Sequence, residues 1–217
     1  MPTTEIALFP LKAGATPGDP DNHAAPVAND TFDTLKTIDG MQQINFGTRM
    51  EDPSQLQLMV TWDKLSSHLD FTKTEAYKPF LSKFLSIVAG EPKMMHADFQ
   101  PPGALAKTFA APTTEFATFY FEGEPPADYV EKAMECVEVI RKEAGAGFLD
   151  AAVGVTHEVV EHEGVKGKAA VLAVGWRSRE AHMEFRETKA FKENIHLLRR
   201  ESKKLTMWHV QFMEYQG

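Results

Sequence analysis

Cysteine is nearly absent from the sequence, since Cys136 is the one cysteine among 217 residues. An intramolecular disulfide and a metal site of several cysteines are therefore excluded, which is typical of a protein from a reducing compartment. Cys136 lies in a pattern of apolar residues at helical spacing, so we expect it to pack in a core rather than to act as a nucleophile.

Long apolar runs are also lacking. No stretch approaches the ~18 to 20 consecutive apolar residues that a membrane span needs, and the first residues lack the basic start and apolar stretch of a secretory signal. We therefore expect a cytoplasmic protein that does not enter a membrane.

Positive charge is in the minority, with 23 Lys and Arg against 31 Asp and Glu and a formal net charge of −8. Phosphate backbones are bound by clustered Lys and Arg, so we expect no nucleic-acid partner. The sequence has no Gly-rich phosphate loop, His-Glu-x-x-His helix or Gly-x-Ser-x-Gly elbow, which disfavours nucleotide-dependent enzymes, zinc proteases and serine hydrolases. The pairs at 157–158 and 162–163 have metal-ligand composition but lie near a predicted hairpin tip on opposite strand faces, so we expect no metal site.

The chain does contain an internal repeat. Residues 62–77 match residues 176–191 at a constant offset of 114, sharing a Trp, a His, a Phe, a Thr, an Ala and a final aromatic position. Such spacing indicates two copies of one unit of about a hundred residues. Two flanking echoes pair residues 3–7 with 113–117 and residues 94–99 with 207–212.

The second copy shows the clearer order of elements. Alternating apolar residues predict strands, and apolar residues at three-to-four spacing predict helices. The resulting β-α-β-β-α-β order is that of the ferredoxin-like unit. The expected elements are a strand at 115–121, a helix at 127–143, strands at 148–161 and 168–176, helices at 178–186 and 188–201, and a strand at 204–214.

The first copy repeats this order with one longer connection. Residues 12–29, rich in Gly, Pro, Asp and Ala, are predicted to form a surface loop or, alternatively, a lid over a ligand. The predicted domains are residues 1–100, a linker at 101–112 and residues 113–217. The expected elements of the first copy are a strand at 3–11, a helix at 31–38, strands at 41–50 and 55–62, helices at 64–71 and 74–88, and a strand at 93–99.

The motif that begins at Trp176 resembles a known family. Trp176, Ser178, Ala181 and His182, followed by Phe185 and a Thr-x-Ala-aromatic turn, are similar to the antibiotic-biosynthesis-monooxygenase-like branch of the dimeric α/β-barrel superfamily. The resemblance implies an α+β fold in which two tandem ferredoxin-like repeats form an intramolecular dimeric-type α/β barrel. It also implies a monomer with an internal pseudo-dimer, or a weak homodimer. Members include cofactor-free oxygenases of aromatic polyketides, haem-degrading oxygenases, isomerases and dehydratases.

Strand alternation predicts which side chains face the barrel interior. If Ile44 and Phe46 pack against the helices, their neighbours face inward, and the same argument places Trp208 and Phe212 against the helices. The predicted interior of the first repeat is unusually polar, and buried polar groups need partners, water or a ligand. The expected catalytic residues are His96, Asp98, Asn45 and Arg49, and the expected substrate-binding residues are Met59, Met94, Gln57, Gln43, His209 and Tyr120.

His96 is the best acid–base candidate, because histidine titrates near neutral pH and Asp98, two residues along the same strand, can orient it. Asn45 and Arg49 would stabilise an enolate or phenolate oxygen. The alternatives are a hydrogen-bonded structural histidine and a cross-strand salt bridge.

The predicted function is the binding of a small, hydrophobic, oxygenated molecule, without a cofactor. A monooxygenase-like reaction, or a related lyase or isomerase reaction, on an aromatic or polyketide-like substrate is favoured. A non-catalytic binding or stress-related barrel is one alternative. The other is a haem-binding protein, because the resemblance implies that a helix histidine, His68 or His182, could ligate iron; their matching places in the repeats favour a shared structural role instead.

Overall fold

A computed structural model describes all 217 residues, and the chain divides into two compact units. Unit 1 comprises residues 1–96 together with residues 213–217. Unit 2 comprises residues 97–212. No helix of the structure is long and apolar enough to cross a membrane.

Unit 1 is an antiparallel sheet with helices packed on one face. The elements are β1 (Thr3–Pro10), α1 (Ala24–Lys36), β2 (Met41–Thr48), β3 (Gln55–Trp62), α2 (Leu65–Phe71), α3 (Tyr77–Leu85) and β4 (Lys93–Gln100). Strands β1 and β3 pair antiparallel, as do β2 and β3, and the strand order is β4-β1-β3-β2. A two-residue strand close to the C-terminus, Met213–Glu214, adds to the outer edge of β2.

The elements of unit 2 are α4 (Ala104–Phe109), β5 (Thr113–Tyr120), α5 (Tyr129–Glu143), β6 (Phe148–Thr156), β7 (Val160–His162), β8 (Val165–Gly167), β9 (Ala169–Trp176), α6 (Arg179–Arg186), α7 (Lys189–Asn194), α8 (His196–Arg199) and β10 (Lys204–Val210), followed by β11 (Met213–Glu214) in unit 1. Unit 2 repeats the arrangement of unit 1, with the spatial strand order β10-β5-β9-β6. Two short strands, β7 and β8, form a separate hairpin. The α+β class and the two tandem ferredoxin-like repeats are thus confirmed.

Helix α1 begins seven residues before the predicted start, at Ala24 instead of residue 31. The side chain of Asn22 accepts hydrogen bonds from the backbone N–H groups of Thr16 and Ala24, which folds the preceding loop against the helix start. Pro26 lies in the first helical turn, where proline is tolerated because its missing N–H has no partner there. The proline-rich composition therefore concealed the beginning of the helix.

The predicted linker carries helix α4, which packs on the face of the unit-2 sheet away from helices α5 to α8. A Cβ atom at Gly175 of β9 would lie 2.9 Å from Ala111 Cβ and 3.2 Å from the backbone of Thr108. Only glycine allows this close approach of α4 to the strand.

Each unit has its apolar core between its sheet and its helices. In unit 1 this core contains Ile44, Phe46, Leu56 and Leu58, together with Trp62. The intervening residues of β2 and β3 therefore face away from the helices, as alternation predicts. They include Gln43, Asn45, Gln57 and Met59.

The predicted facing of the last strand of each repeat is wrong. His209 contacts His182 of α6, and Met207 packs against the helix-side core, whereas Trp208 stacks on Phe116 on the opposite face. The alternate residues of β10 are apolar on both faces, so hydrophobicity could not choose between them.

The same correction applies to β4. His96 contacts His68 of α2, and Met94 lines a cavity on the helix side. His96 and Met94 consequently lie on the sheet face opposite to Asn45, Gln57 and Met59.

Candidate active site

A buried cluster of four side chains lies between the sheet and helix α2 of unit 1. The indole Nε1–H of Trp62 donates to Glu5 Oε2 at 3.1 Å, and the same carboxylate oxygen lies 3.5 Å from His68 Nε2. The other nitrogen of that ring, His68 Nδ1, is 2.7 Å from His96 Nε2. All four residues are at most 5% exposed. Glu5, His68 and His96 thus form a continuous polar chain inside an apolar core.

Unit 2 contains the same arrangement. Trp176 Nε1–H donates to Glu115 Oε2 at 3.0 Å, and His182 Nε2 lies 3.3 Å from that oxygen. His182 Nδ1 is 2.8 Å from His209 Nε2. A Glu–His–His chain with a supporting tryptophan is therefore present twice, once in each repeat.

The motif shared by the repeats explains this geometry. Each tryptophan ends a strand, and the following helix begins three residues later, which places the histidine in its first turn. The imidazole rings of His68 and His182 then stack on Trp62 and Trp176, with centroids 5.1 and 5.0 Å apart. In unit 2 the side chain of Ser178 caps the helix by accepting from Ala181 N–H.

Burial has electrostatic consequences for the acidic groups. It raises the pKa of Glu115, although the hydrogen bond from Trp176 and the charges of His209 and Arg186 oppose this shift. In unit 1, burial and the charge of Glu5 raise the pKa of Tyr77. A buried carboxyl group with a raised pKa beside a histidine is a pair of groups that can act in acid–base chemistry.

Each Glu–His–His chain borders a cavity between the sheet and the helices of its own unit. The unit-1 cavity measures about 30 Å³ and is lined by Glu5, His68, Tyr77 and apolar side chains that include Met94. The unit-2 cavity measures about 60 Å³ and is lined by Glu115, His182 and mostly apolar side chains. The acid–base groups of both units are therefore accessible to a molecule held under the helices.

The structure does not bring the predicted catalytic residues together. His96 belongs to the unit-1 chain, whereas Asp98 Oδ1 accepts a hydrogen bond from His157 Nε2 at 2.8 Å. The amide oxygen of Asn45 is buried without a hydrogen-bond partner on the face away from the helices. Arg49 follows the end of β2, where its backbone N–H donates to Gln55 O. The predicted convergence of these four residues on one sheet face is wrong.

The predicted substrate-binding residues are also distributed over several places. Met94 lines the unit-1 cavity and His209 belongs to the unit-2 chain. Gln57 donates to Met59 Sδ at 3.3 Å on the far face of unit 1. Gln43 pairs with Thr61 on β3, and Tyr120 stacks on His162 with ring centroids 4.3 Å apart.

Sequence reasoning missed the two glutamates. Glu5 and Glu115 occupy the same place in the matching Thr-Thr-Glu segments of the repeats. A single charged residue at the same place in two otherwise uncharged strands was the available signal, because buried carboxylates require partners.

The helix histidines do not fit haem as they are placed. Both ring nitrogens of His68 and of His182 are engaged, Nδ1 with the strand histidine and Nε2 with the carboxylate. Single ligand atoms from Glu5, His68 and His96 lie within 4.8 Å of one another, close enough for a metal ion. His68 however turns different nitrogens toward its two partners, which is the geometry of a hydrogen-bonded chain.

Comparison with known proteins supports the fold through structure alone. No protein-family model matches the chain, and no curated protein matches it. A protein provisionally described as a monooxygenase from Fusobacterium nucleatum is 14% identical, with a TM-score of 0.59 over 100% of this chain and 98% of the other. A protein of the same provisional description from Lactobacillus acidophilus is 11% identical, with a TM-score of 0.59 over 98% and 93% of the two chains. An anthrone oxidase-like protein is 14% identical, with a TM-score of 0.65 over 100% and 94%. This chain therefore shares the α+β fold of these proteins over nearly its whole length.

Proposed function

We propose that the protein binds a small, apolar, oxygenated molecule in the helix-side cavities and moves a proton between this molecule and the Glu–His–His chain. The observation that carries the proposal is the placement of Glu115 and His182 in the lining of a mostly apolar cavity. The repetition of the same chain in unit 1 supports it. The proposed reaction needs no cofactor.

The physical basis is the environment of the chain. A carboxylate inside an apolar cavity is a stronger base toward a carbon acid than the same group in water, because desolvation disfavours its charged form and raises its pKa. The strand histidine can share or accept the proton through the ring-to-ring contact of 2.8 Å in unit 2. The tryptophan N–H holds the carboxylate oxygen in place.

The expected substrate is a ring ketone, including the keto tautomer of a phenol, with an acidic C–H bond. Glu115 or His182 takes the proton, and the electron pair of the C–H bond enters the ring system as an enolate or phenolate. In a lyase or isomerase the proton returns to another atom. In a monooxygenase-like reaction with dioxygen as the co-substrate, a CH₂ group and O₂ give a C=O group and water.

The test uses 2-tetralone, a two-ring ketone with an acidic CH₂ group. We expect the protein to accelerate exchange of this hydrogen with D₂O under argon, as measured by proton NMR, and to consume oxygen in air. Glu115→Gln and His182→Ala should each lower the exchange rate about 10²–10⁴-fold, the usual contribution of a general base. The surface variant Glu184→Gln, on the same helix as His182, is the control.

Exchange at the buffer rate, or exchange unchanged in both site variants, contradicts the proposal. Glu5→Gln and His68→Ala report separately on unit 1. If 2-tetralone binds without exchange, the chain is a structural network in a binding protein, because every member is buried and hydrogen-bonded.

A further inference from the structure

We infer that the cavity of unit 2, but not that of unit 1, selects a flat apolar molecule that carries an anionic oxygen group, which Arg186 and Arg199 bind. The inference rests on the proposed function and specifies the substrate class of one of the two sites. Carboxylate and phenolate groups share the chemistry that would be recognised.

Two arginines distinguish the unit-2 cavity. Arg186 is the last residue of α6 and Arg199 the last residue of α8, and both line the cavity. Arg199 is exposed and Arg186 is half-buried, whereas the side chains of His182 and Glu115 are only 3% and 13% exposed. The cavity lining therefore combines two solvent-accessible guanidinium groups with a shielded acid–base pair.

The guanidinium group of Arg186 contacts neutral groups. It lies over the Phe191 ring at 5.9 Å, and Nη1 is 3.8 Å from Met183 Sδ. Its charge nevertheless reaches the buried carboxyl, because it partly opposes the rise that burial causes in the pKa of Glu115. A guanidinium group that contacts neutral groups at a cavity can form paired hydrogen bonds with an anionic oxygen group of a ligand.

The corresponding positions in unit 1 carry no charge. With the repeat offset of 114, Arg186 corresponds to Thr72 and Arg199 to Leu85. Thr72 Oγ1 donates to the backbone oxygen of Leu69 at 2.8 Å. The residues that line the unit-1 cavity include no arginine or lysine. Both cavities thus contain a glutamate and a histidine, but only the unit-2 cavity also contains arginine side chains.

The walls of the unit-2 cavity favour a flat, apolar body. Phe185 and Phe191 meet edge to face with ring centroids 5.9 Å apart, and both line the cavity with Ile140 and Leu172. The cavity of about 60 Å³ has room for several water-sized groups, since a single water needs about 10–15 Å³ of such a cavity. Exposed Leu205 at the lining gives the ligand an apolar contact near solvent.

The test compares 2-naphthoate with 2-naphthamide, a neutral ligand of the same shape, by isothermal titration calorimetry. We expect 2-naphthoate to bind at one site per chain and at least about tenfold more tightly than 2-naphthamide, in line with the strength of charge-assisted hydrogen bonds. Arg186→Gln and Arg199→Gln should each weaken 2-naphthoate binding about five- to tenfold and leave 2-naphthamide binding unchanged. Arg177→Gln, an exposed arginine outside the cavity lining, is the matched control.

Equal affinity for the two ligands, two equivalent sites per chain, or unchanged 2-naphthoate binding in both arginine variants would overturn the inference. Circular dichroism of each variant verifies folding. The proposed function is tested separately by 2-tetralone exchange. Tight 2-naphthoate binding without that exchange would sustain the anion site and refute the acid–base role, whereas exchange without preference for the anion would do the reverse.

Discussion

Trp176 donates its indole N–H to Glu115 Oε2 at 3.0 Å, and Trp62 makes the same hydrogen bond to Glu5 at 3.1 Å. The tryptophan of the repeated motif therefore supports a buried carboxyl group in each unit. It also stacks on the histidine that continues the chain. These contacts explain why Trp and His recur together at a fixed spacing.

Replacement of Trp176 by Phe is expected to lower the free energy of unfolding by about 1–3 kcal/mol, because Glu115 loses a hydrogen-bond donor while remaining buried. Urea unfolding followed by circular dichroism measures the change. Trp62→Phe should produce a loss of similar size in unit 1. A loss below about 0.5 kcal/mol, typical of a surface substitution, would show that the indole N–H contributes little.

The stability of the protein should depend on the ionisation of Glu115. Burial raises the pKa of this carboxyl above its ordinary value of 4.5. The folded state thus binds the proton more tightly than the unfolded state, so this contribution to stability is fully present below pH 4.5 and is lost as the pH rises through the folded-state pKa. Glu115→Gln, which keeps the shape but cannot ionise, should remove this part of the pH dependence.

Urea unfolding of the natural protein and of Glu115→Gln between pH 4 and 8 tests this expectation. The difference in unfolding free energy between the two should change with pH in the stated direction. A constant difference across the range would be inconsistent with a raised pKa. Glu184→Gln provides the exposed control.

The two histidines of unit 2 should be energetically coupled. Because His182 Nδ1 and His209 Nε2 are 2.8 Å apart, the removal of either ring leaves the other with a buried nitrogen that has lost this partner. A double-mutant cycle of His182→Ala and His209→Ala is expected to give a coupling of about 0.5–3 kcal/mol.

The control cycle combines His182→Ala with His162→Ala, a residue of the separate hairpin. These two substitutions should add to within about 0.3–0.5 kcal/mol. Additivity in the test cycle as well would mean that the ring-to-ring contact contributes nothing to stability.

Cys136 should be unreactive in the folded protein. Its side chain is 4% exposed, and burial raises the pKa of its thiol to about 12, with a smaller contribution from the charge of Glu115. Since the thiolate is the reactive form, a disulfide reagent at pH 8 should label the protein only as it unfolds in urea. Rapid labelling without urea would contradict the buried position, and the urea-unfolded chain serves as the positive control.

Much of the fold could be predicted from local patterns. The order of elements and the facing of β2 and β3 were predictable because Ile44, Phe46, Leu56 and Leu58 alternate with polar residues. The start of α1 could not be predicted in the same way, because its capping depends on the hydrogen bonds of Asn22 with the loop before it.

The sequence by itself determined that the chain consists of two related α+β units, and it located the recurring Trp and His. Only the tertiary structure decided which face carries His96 and His209, because alternate residues of the last strands have similar apolar character and a shift of one residue exchanges the faces. The tertiary structure also decided which distant side chains contact each other. Trp62 meets Glu5 across 57 residues of chain and His68 meets His96 across 28. The first contact depends on the pairing of β1 with β3 and the second on the packing of α2 on the sheet, and no local pattern encodes either.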